Sequence, residues 1–377
     1  MRDNDTNEYL AEIDAMISAT FIPRYNDVGT YEVVLRYDSS SASQYFAGPN
    51  ALNHPGIALL RGDKHIMSGP MQAIDRTYDS SGDILTIYGV SDMIWPYNRV
   101  TVPDPVLGAG HGDFYSAGPA SVGECLSQLL YDHCVRTELG RSIPSMSIGD
   151  VGDVGPVVFN QSRYANVLST MQEIATGNNI AFDIVDLSLL AWVPTNQGCV
   201  FSVEQGTMTS YINTVTMPKW NFNFTGGKTP TDAFNNPLYA SQQIDTSEDS
   251  ASESAWNRIE TYYDRQDILN PPAAPATADF LQQVSDENLI PGQSPVGYQV
   301  AIIETDQQIF GVHFNVGDIA TVTVPGTTWT DIVRDTTITF SGNNPVTVQP
   351  TIGIPARPGY LAQLGQFSRQ VRRLQTV

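Results

Sequence analysis

Five histidines, three cysteines and 40 carboxylates are the residues of this 377-residue chain with the most obvious chemistry. The histidines are His54, His65, His111, His133 and His313. None stands in an HxH, HxxxH or HExxH spacing, the patterns that place imidazoles on one metal. His133 falls on the apolar stripe of a helix and reads as a core histidine. His111 and Asp113 share the glycine-rich stretch "GAGHGDF", where backbone could approach a ligand closely, although "HGD" alone is a weak signal and a plain glycine-rich loop is the better reading. Asp150 and Asp153 lie in "GDVGDVG", which lacks the Glu and the spacing of a calcium loop. Forty carboxylates make chance pairs inevitable, so no acid/base pair for glycoside cleavage can be picked out. No GxSxG elbow, P-loop or dinucleotide fingerprint occurs. The reading therefore assigns no catalytic residue, no metal and no cofactor.

Charge and cysteine usage narrow the classes further. Forty acidic against 19 basic residues leave a net charge of −21, which disfavours a grip on nucleic-acid phosphates or an anionic membrane surface. The cations are 16 arginines and three lysines, a balance that suits packed polar contacts and interfaces. Cys125, Cys134 and Cys199 form an odd set without a CxxC. The first two, placed on one helix, would stand about 13 Å apart in rise, too far to bridge. A reducing compartment, or simple indifference to redox, fits best. No apolar run reaches membrane-span length, and "MRDNDTNEYLAEIDAM" is too acidic for a leader peptide, so a soluble, non-secreted protein is expected. The sequons at Asn160 and Asn223 are at chance level.

The elements that would position such residues are mostly strands. In "TYEVVLRY", Tyr31, Val33, Leu35 and Tyr37 alternate with Glu32, Val34 and Arg36, the period of a half-buried strand. Asn26, Asp27 and Gly29 just before it tolerate turn geometry. "IALLRGDKHIM" predicts a hairpin about Gly62 and Asp63, and "MQAIDRTYDSSGDILTIYGV" a second about Ser80 to Asp83. Near residue 100 the pattern changes. Ser121 and Glu124 spell a capping box ahead of a helix with Leu126, Leu129, Leu130 and His133 on one stripe, ending before Gly140. A second helix is expected from near Ser162, with Tyr164, Val167, Leu168, Met171 and Ile174 inward and Gly177 at its end. "IAFDIV" and "LLAWV" predict a hairpin across Asp186 to Ser188. Beyond 206 the strands return. "TSEDSASESA" (246–255) and "LNPPAAPATADF" (269–280) read as exposed loops, "WNRIETYYDRQD" (256–267) as a strand, and 314–353 as three strands joined by turns. The 314–353 block can be laid over 57–92, down to a polar pair in the middle strand (Asp75-Arg76; Arg334-Asp335). That suggests two related small barrels, although short antiparallel barrels resemble one another anyway. A C-terminal helical tail holds Arg369, Arg372 and Arg373, candidate assembly contacts with an acidic neighbour, if they are not simply a solvated helix end.

The wording of several stretches resembles the tail-hub (minor tail, baseplate hub) proteins of siphophages. "RYNDVGTYEVVL" (24–35) is followed by "GIALLRGDKHIMSGPM" (56–71). Next comes "LTIYGVSDMIWPYNRVTVPDP" (85–105), with Gly89, Asp92, Arg99, Pro103 and Pro105. "NNPLYA" (235–240), "WNRIETYYDRQD", "VGDIATVTV" (316–324) and "VQPTIG" (348–353) follow in order. Each motif is loose, and their order carries the match. "GVSD" departs from a tighter GxD, and residues 271–278 form a Pro/Ala-rich insertion, so loops do not transfer. The resemblance implies a β-rich α+β fold similar to contractile-phage baseplate hubs. Its parts would be an N-terminal β-barrel hub domain (1–100), an α+β domain (101–205), a second β-barrel (206–355) with an exposed insertion around 236–295, and the helical tail (356–377). It implies a homotrimer at the tail tip of the virion, assembled in the host bacterial cytoplasm. Such a ring would close the tail tube and adapt its six-fold symmetry to a three-fold tip. Its partners would be a distal tail or tube protein and tip or fibre proteins. Phage DNA would pass an acidic lumen without specific binding, and the chain would not insert into a membrane. Two other classes stay open on the residues. One is a tail-associated cell-wall hydrolase using paired carboxylates. The other is a receptor- or carbohydrate-binding module using Trp95, Trp220, Trp256 and Trp329, whose competing explanation is core packing.

Overall fold

Alternating apolar and polar side chains set most of the strands, and the strands set the shape. The computed structural model describes residues 1–13, 16–39, 46, 55–79, 82–107, 112–215, 217–265, 280–293, 296–342 and 345–353. The first strands are β1 (Arg2–Asp3), β2 (Met16–Ile22), β3 (Thr30–Arg36), β4 (Pro55–Arg61), β5 (Lys64–Asp79) and β6 (Gly82–Val90). A short helix α1 (Ile94–Tyr97) leads to β7 (Tyr115–Ser121), α2 (Val122–Leu130), β8 (Ser147–Ile148) and β9 (Val157–Ser162). Then come α3 (Val167–Gly177), β10 (Ala181–Val185), β11 (Ser188–Trp192), β12 (Asn196–Ser202), β13 (Met208–Val215) and β14 (Phe222–Gly226). β15 (Ile244–Glu248), α4 (Ser250–Trp256), β16 (Glu260–Asp264) and α5 (Phe280–Leu289) follow. The last strands are β17 (Val296–Ile302), β18 (Ile319–Val324), β19 (Thr327–Ser341) and β20 (Thr347–Gly353).

Twelve strands form one sheet. Its first half runs β1-β4-β5-β6-β3-β2 and its second half β12-β18-β19-β20-β17-β13, joined where β2 pairs antiparallel with β19. The two halves repeat the same order, a long middle strand in each: 16 residues in β5 and 15 in β19. The irregularities repeat too. β2 is bulged between Met16 and Ser18, and β13 between Met208 and Ser210. β5 shifts register between Met71 and Ala73, and β19 between Val333 and Asp335. Even the words coincide, Tyr31-Glu32-Val33 in β3 against Tyr298-Gln299-Val300 in β17. Bulges placed alike in two strand pairs are designed features.

One core fills both halves. Leu35, Ile87, Phe201, Phe314, Val322 and Ile352 belong to a single buried cluster. The expected separate barrels are therefore not seen in that form. β19 is long enough to pair with β18, β20 and β2, which carries the sheet from one half into the other. Among the described residues no closed barrel forms. Arg61 on the β4–β5 hairpin makes a bidentate pair with Glu304 at 2.6 Å and donates to the Phe310 carbonyl at 3.0 Å, a second tie between the halves.

The α+β unit has its own core of Leu126, Leu129, Leu130, Val167, Met171 and Phe182. The Ser121–Glu124 capping box opens α2 as its spacing predicts. The α-helix proper ends at Leu130 and passes into a π-helical turn over Tyr131–Val135. α3 starts at Val167 under an Asn166 cap, later than the expected start near Ser162, because Ser162 ends β9 and Tyr164 has a positive φ of 50°. The hairpin at Asp186-Leu187 forms as expected, both residues having positive φ.

In the third region one expectation fails and another is narrowed. Residues 246–255 are not a loop: β15 ends at Glu248, and the Asp249 carboxylate caps α4 by accepting from Ser252 N–H at 3.0 Å. In the described part of 256–267, residues 256–265, the strand spans Glu260–Asp264, because Trp256 ends α4 and Asn257 turns the chain with φ 63°. β15, β14 and β16 form a small sheet covered by α5, whose Leu281 is buried. Residues 266–279, with the Pro/Ala-rich segment, and 354–377, with Arg369, Arg372 and Arg373, lie outside the described residues.

Candidate functional site

The residues that carry the sequence wording converge on the junction between the twelve-stranded sheet and the α+β unit. In "RYNDVG" the turn residue is Asn26, buried, with φ 50°. Its amide donates to the Ile180 carbonyl at 2.8 Å and accepts from Phe182 N–H at 2.7 Å, so it caps the start of β10 from outside. Tyr25 donates to the same Ile180 carbonyl at 3.1 Å. Gln172 on α3 donates to the Asn26 carbonyl at 2.7 Å and to Asp27 at 3.3 Å. Gly29 N–H donates to Ser91 Oγ at 2.9 Å. The loop thus grips a helix and a strand of the neighbouring unit while feeding β3.

Beside it lies a buried ion pair. Arg2 and Asp92 are both wholly buried and meet through two hydrogen bonds of 2.7 and 2.6 Å. Asn4 Oδ1 accepts from Arg2 Nε at 3.0 Å and Nη2 at 2.7 Å. Asp92 also accepts from Ser68 Oγ at 2.6 Å, Trp95 Nε1 at 3.1 Å and Leu187 N–H at 3.4 Å. A buried charge pair is tolerated when further hydrogen bonds offset its desolvation, and here Arg2 donates four and Asp92 accepts five. Asp186, in the β10–β11 turn, reaches the same place. Its N–H donates to Ser68 Oγ at 2.8 Å, and its carboxylate contacts Tyr9 and His65 and lies 3.8 Å from Arg2. Burial, with the Asp186 carboxylate adding to it, pushes the Tyr9 phenol above its ordinary value. Burial also pushes the Asp183 carboxyl up to about 7.

The glycines of these motifs have a steric reason. A Cβ on Gly69 would stand 2.0 Å from the Val90 carbonyl oxygen, and one on Gly89 would stand 2.0 Å from the Tyr31 ring. Gly317 of "VGDIATVTV" sits under Trp192 of the α+β unit, with φ 92°. Arg99 donates to the Arg141 carbonyl and accepts from Val167 N–H at 3.0 Å, holding the start of α3.

Apart from His65, which meets Asp186 and Tyr9 at this junction, the candidates for chemistry stand apart from one another. His133 is buried beside Tyr115, and burial drives it down to about 3, a neutral core histidine. His313 accepts from Ile309 N–H at 3.1 Å. His54 and His111 lie outside the described residues, and Asp113, Asp150 and Asp153 are exposed. Among the described residues no three His, Cys, Asp or Glu side chains converge as a metal site. The three cysteines are free and buried. Asn160 and Asn223 are buried, which removes both sequons from an acceptor role in the folded chain. A cleft of about 450 Å³ between β9, α3 and β16 contains Glu173, but Tyr263 donates to it at 2.8 Å and Arg265 pairs with it at 3.5 Å. Of the four candidate tryptophans three are packed: Trp95 on Asp92, Trp220 on the Asn288 carbonyl, Trp329 beside Tyr298. Trp256 is 41% exposed. No described helix is long and apolar enough to cross a membrane.

Sequence reasoning missed Arg2, Asn4 and Asp186 as one cluster. The available signal was a lone arginine in an otherwise acidic first 16 residues, with Asp92 singled out far along the chain.

Among the solved structures similar to this chain are three described as tail proteins, two of them from prophages. The 43 kDa tail protein of prophage MuSo2 from Shewanella oneidensis superposes with a TM-score of 0.58 at 11% identity, over 89% of this chain and 94% of that one. A tail protein from Neisseria meningitidis MC58 gives 0.56 at 8%, over 90% and 92%. Prophage tail protein gp18 from Listeria monocytogenes EGD-e gives 0.52 at 9%, over 96% and 95%. At such identities the likeness is one of fold. No curated protein sequence matches the chain. A profile of the family described as Siphovirus ReqiPepy6 Gp37-like protein matches residues 2–354, which bears out the siphophage tail-protein resemblance. The chain belongs to the Siphovirus ReqiPepy6 Gp37-like protein family.

Proposed function

We propose that this protein is a structural component of the virion that forms the hub ring at the tail tip. Three copies, each offering two sheet halves of one strand order that differ in the direction of the outermost strand (β1 antiparallel to β4, β12 parallel to β18), present six similar lobes to a six-fold tube and three-fold symmetry to the tip. The observation that carries the reading is the internal repeat. Six strands in one order occur twice in a chain of a siphovirus family, with bulges at matching places. A chain with internal two-fold repetition is the simplest device for matching six to three, since symmetry is set by identical contacts. In this reading the domain division at about 100, 205 and 355 separates two lobes, the unit that spaces them and a docking tail, except that β12 (Asn196–Ser202) falls before the break at 205 and yet pairs with β18 of the second lobe. The Arg2–Asp92 junction keeps spacer and lobes rigid so that an opening signal is transmitted rather than absorbed. A net charge of −21 per copy gives the lumen a sign that repels DNA in transit.

Electron microscopy of the purified chain, with light-scattering mass across concentration, tests it. Closed rings of three copies with six similar lobes and acidic side chains concentrated on the inner wall are expected. Another copy number in the ring, or acidic residues spread evenly around it, overturns the corresponding part.

A further inference from the structure

The internal repeat leaves one contact unmatched. β2, the last strand of the first half, has both edges used: β3 on one side and β19 on the other. Among the described residues its counterpart β13 pairs with β17 alone and ends the sheet. The counterpart of β19 in the first half is β5. Past its bulge β5 pairs with β6 on one side, and no described strand meets its other edge. Each half therefore has what the other lacks. One chain carries an open edge on β13, and an open edge on β5 of the kind that β19 offers to β2.

Both edges are exposed in an unusual way. Thr209 through Asn213 of β13 are exposed on both faces, and no residue of Met208–Val215 is charged. Natural edge strands are normally blunted by charge, proline or cover, and an uncharged eight-residue edge is a template for another strand. On β5, Tyr78 is 83% exposed, whereas its counterpart Phe340 packs against Phe21 with ring centroids 6.2 Å apart.

We propose that β13 of one copy pairs antiparallel with the outer half of β5 of the next copy, repeating between chains the β2–β19 contact within a chain. The register follows from the internal one. Ile338, Thr339 and Phe340 face Phe21, Thr20 and Ala19. Matching bulge to bulge, these six become Arg76, Thr77 and Tyr78 of the next copy facing Asn213, Ile212 and Tyr211. Tyr211, 40% exposed, then lies directly opposite Tyr78, and opposed aromatics are among the stabilising cross-strand pairs. The contact is heterologous, so repetition closes a ring instead of a two-fold dimer. The strip also lets copies of charge −21 approach, because β13 brings no carboxylate to the seam. This inference rests on the ring reading for its closure but not for its register.

Tyr78→Cys and Tyr211→Cys test it, both positions being exposed and the native cysteines buried. Directly opposed residues on paired strands have Cβ atoms about 4.5–5.5 Å apart, close enough for a disulfide after slight adjustment. Mixing the two single variants under mild oxidation should give covalent dimers, and either variant alone should give none. The double variant should give covalent rings. Tyr78→Cys mixed with Ile212→Cys, one residue out of register, should lose most of the product. Rings seen by light scattering without the cross-link overturn the contact and leave the ring standing. Cross-linked pairs that never close keep the contact and overturn the ring. Product from one single variant alone overturns the head-to-tail arrangement.

Discussion

Asp183 sits one strand position from the junction and is the residue whose protonation the fold disturbs most informatively. It lies on β10 between core residues Phe182 and Ile184, and its Oδ1 accepts from Ile184 N–H at 2.8 Å. Part of its surface stays open to solvent, although the surrounding chain is dense enough to push its carboxyl up to about 7. Desolvation is the main cause, and the nearby Asp92 carboxylate adds to it. The folded value lies above the unfolded value of about 3.9. The stability this group contributes is therefore fully present below pH 4 and is lost as pH rises through about 7. At pH 8 the native state carries an ionised carboxyl it would rather protonate. Asp183→Asn keeps the acceptor for Ile184 N–H and removes the charge. It should stabilise the protein by about 1–2 kcal/mol at pH 8, a reduced figure because the group is partly hydrated. The advantage should vanish near pH 4. Urea titrations of both proteins across that range measure it, and a pH-independent difference would show that the charge is not the cause.

Among elements, the loop before β3 does more than turn the chain. Asn26 holds φ 50° and satisfies two backbone groups of the α+β unit at once. Asn26→Ala leaves Phe182 N–H and one Ile180 acceptor bond unmade and puts alanine in left-handed backbone, a loss of about 2–4 kcal/mol. Asn26→Gly keeps the backbone freedom and loses only the bonds, so it should cost less. Denaturant midpoints of the two variants separate these causes, and equal losses would exclude the backbone part. The example also shows what a single sequence makes legible. Strand periods in β3 to β6, the α2 capping box and the β10–β11 turn are local, and local patterns can be read. That "RYNDVG" was specific could also be seen. Its partners could not, because Ile180 and Phe182 lie about 155 residues away in sequence and no pattern in either stretch names the other. The same holds for Arg2 and Asp92, 90 residues apart. The Asp249 cap was local and readable, yet the polar composition around it suggested a loop.

At the scale of the whole molecule, the repeat has a cost that the joined sheet removes. Two similar halves folding independently could exchange partners, since each offers the other's strands nearly the same edges. Here β2 is committed to β19, one core runs beneath both halves, and the Arg61–Glu304 pair clasps the β4–β5 hairpin to the loop after β17. A chain so connected cannot lose one half and keep the other, because unfolding either exposes shared core. The α+β unit, with a separate core, is free to open on its own. Hydrogen exchange read by mass spectrometry should therefore give peptides from Thr30–Arg36 and Ile319–Val324 the same midpoint as urea is raised. A peptide from Val167–Gly177 is free to exchange earlier. Two distinct midpoints for the first pair would mean that the halves are autonomous lobes merely touching through β2 and β19. A rigid ring would then need its stiffness from contacts between copies. A single midpoint means that each copy is one prefolded body, with the outer edges of β13 and β5 already formed before any contact between the copies proposed above.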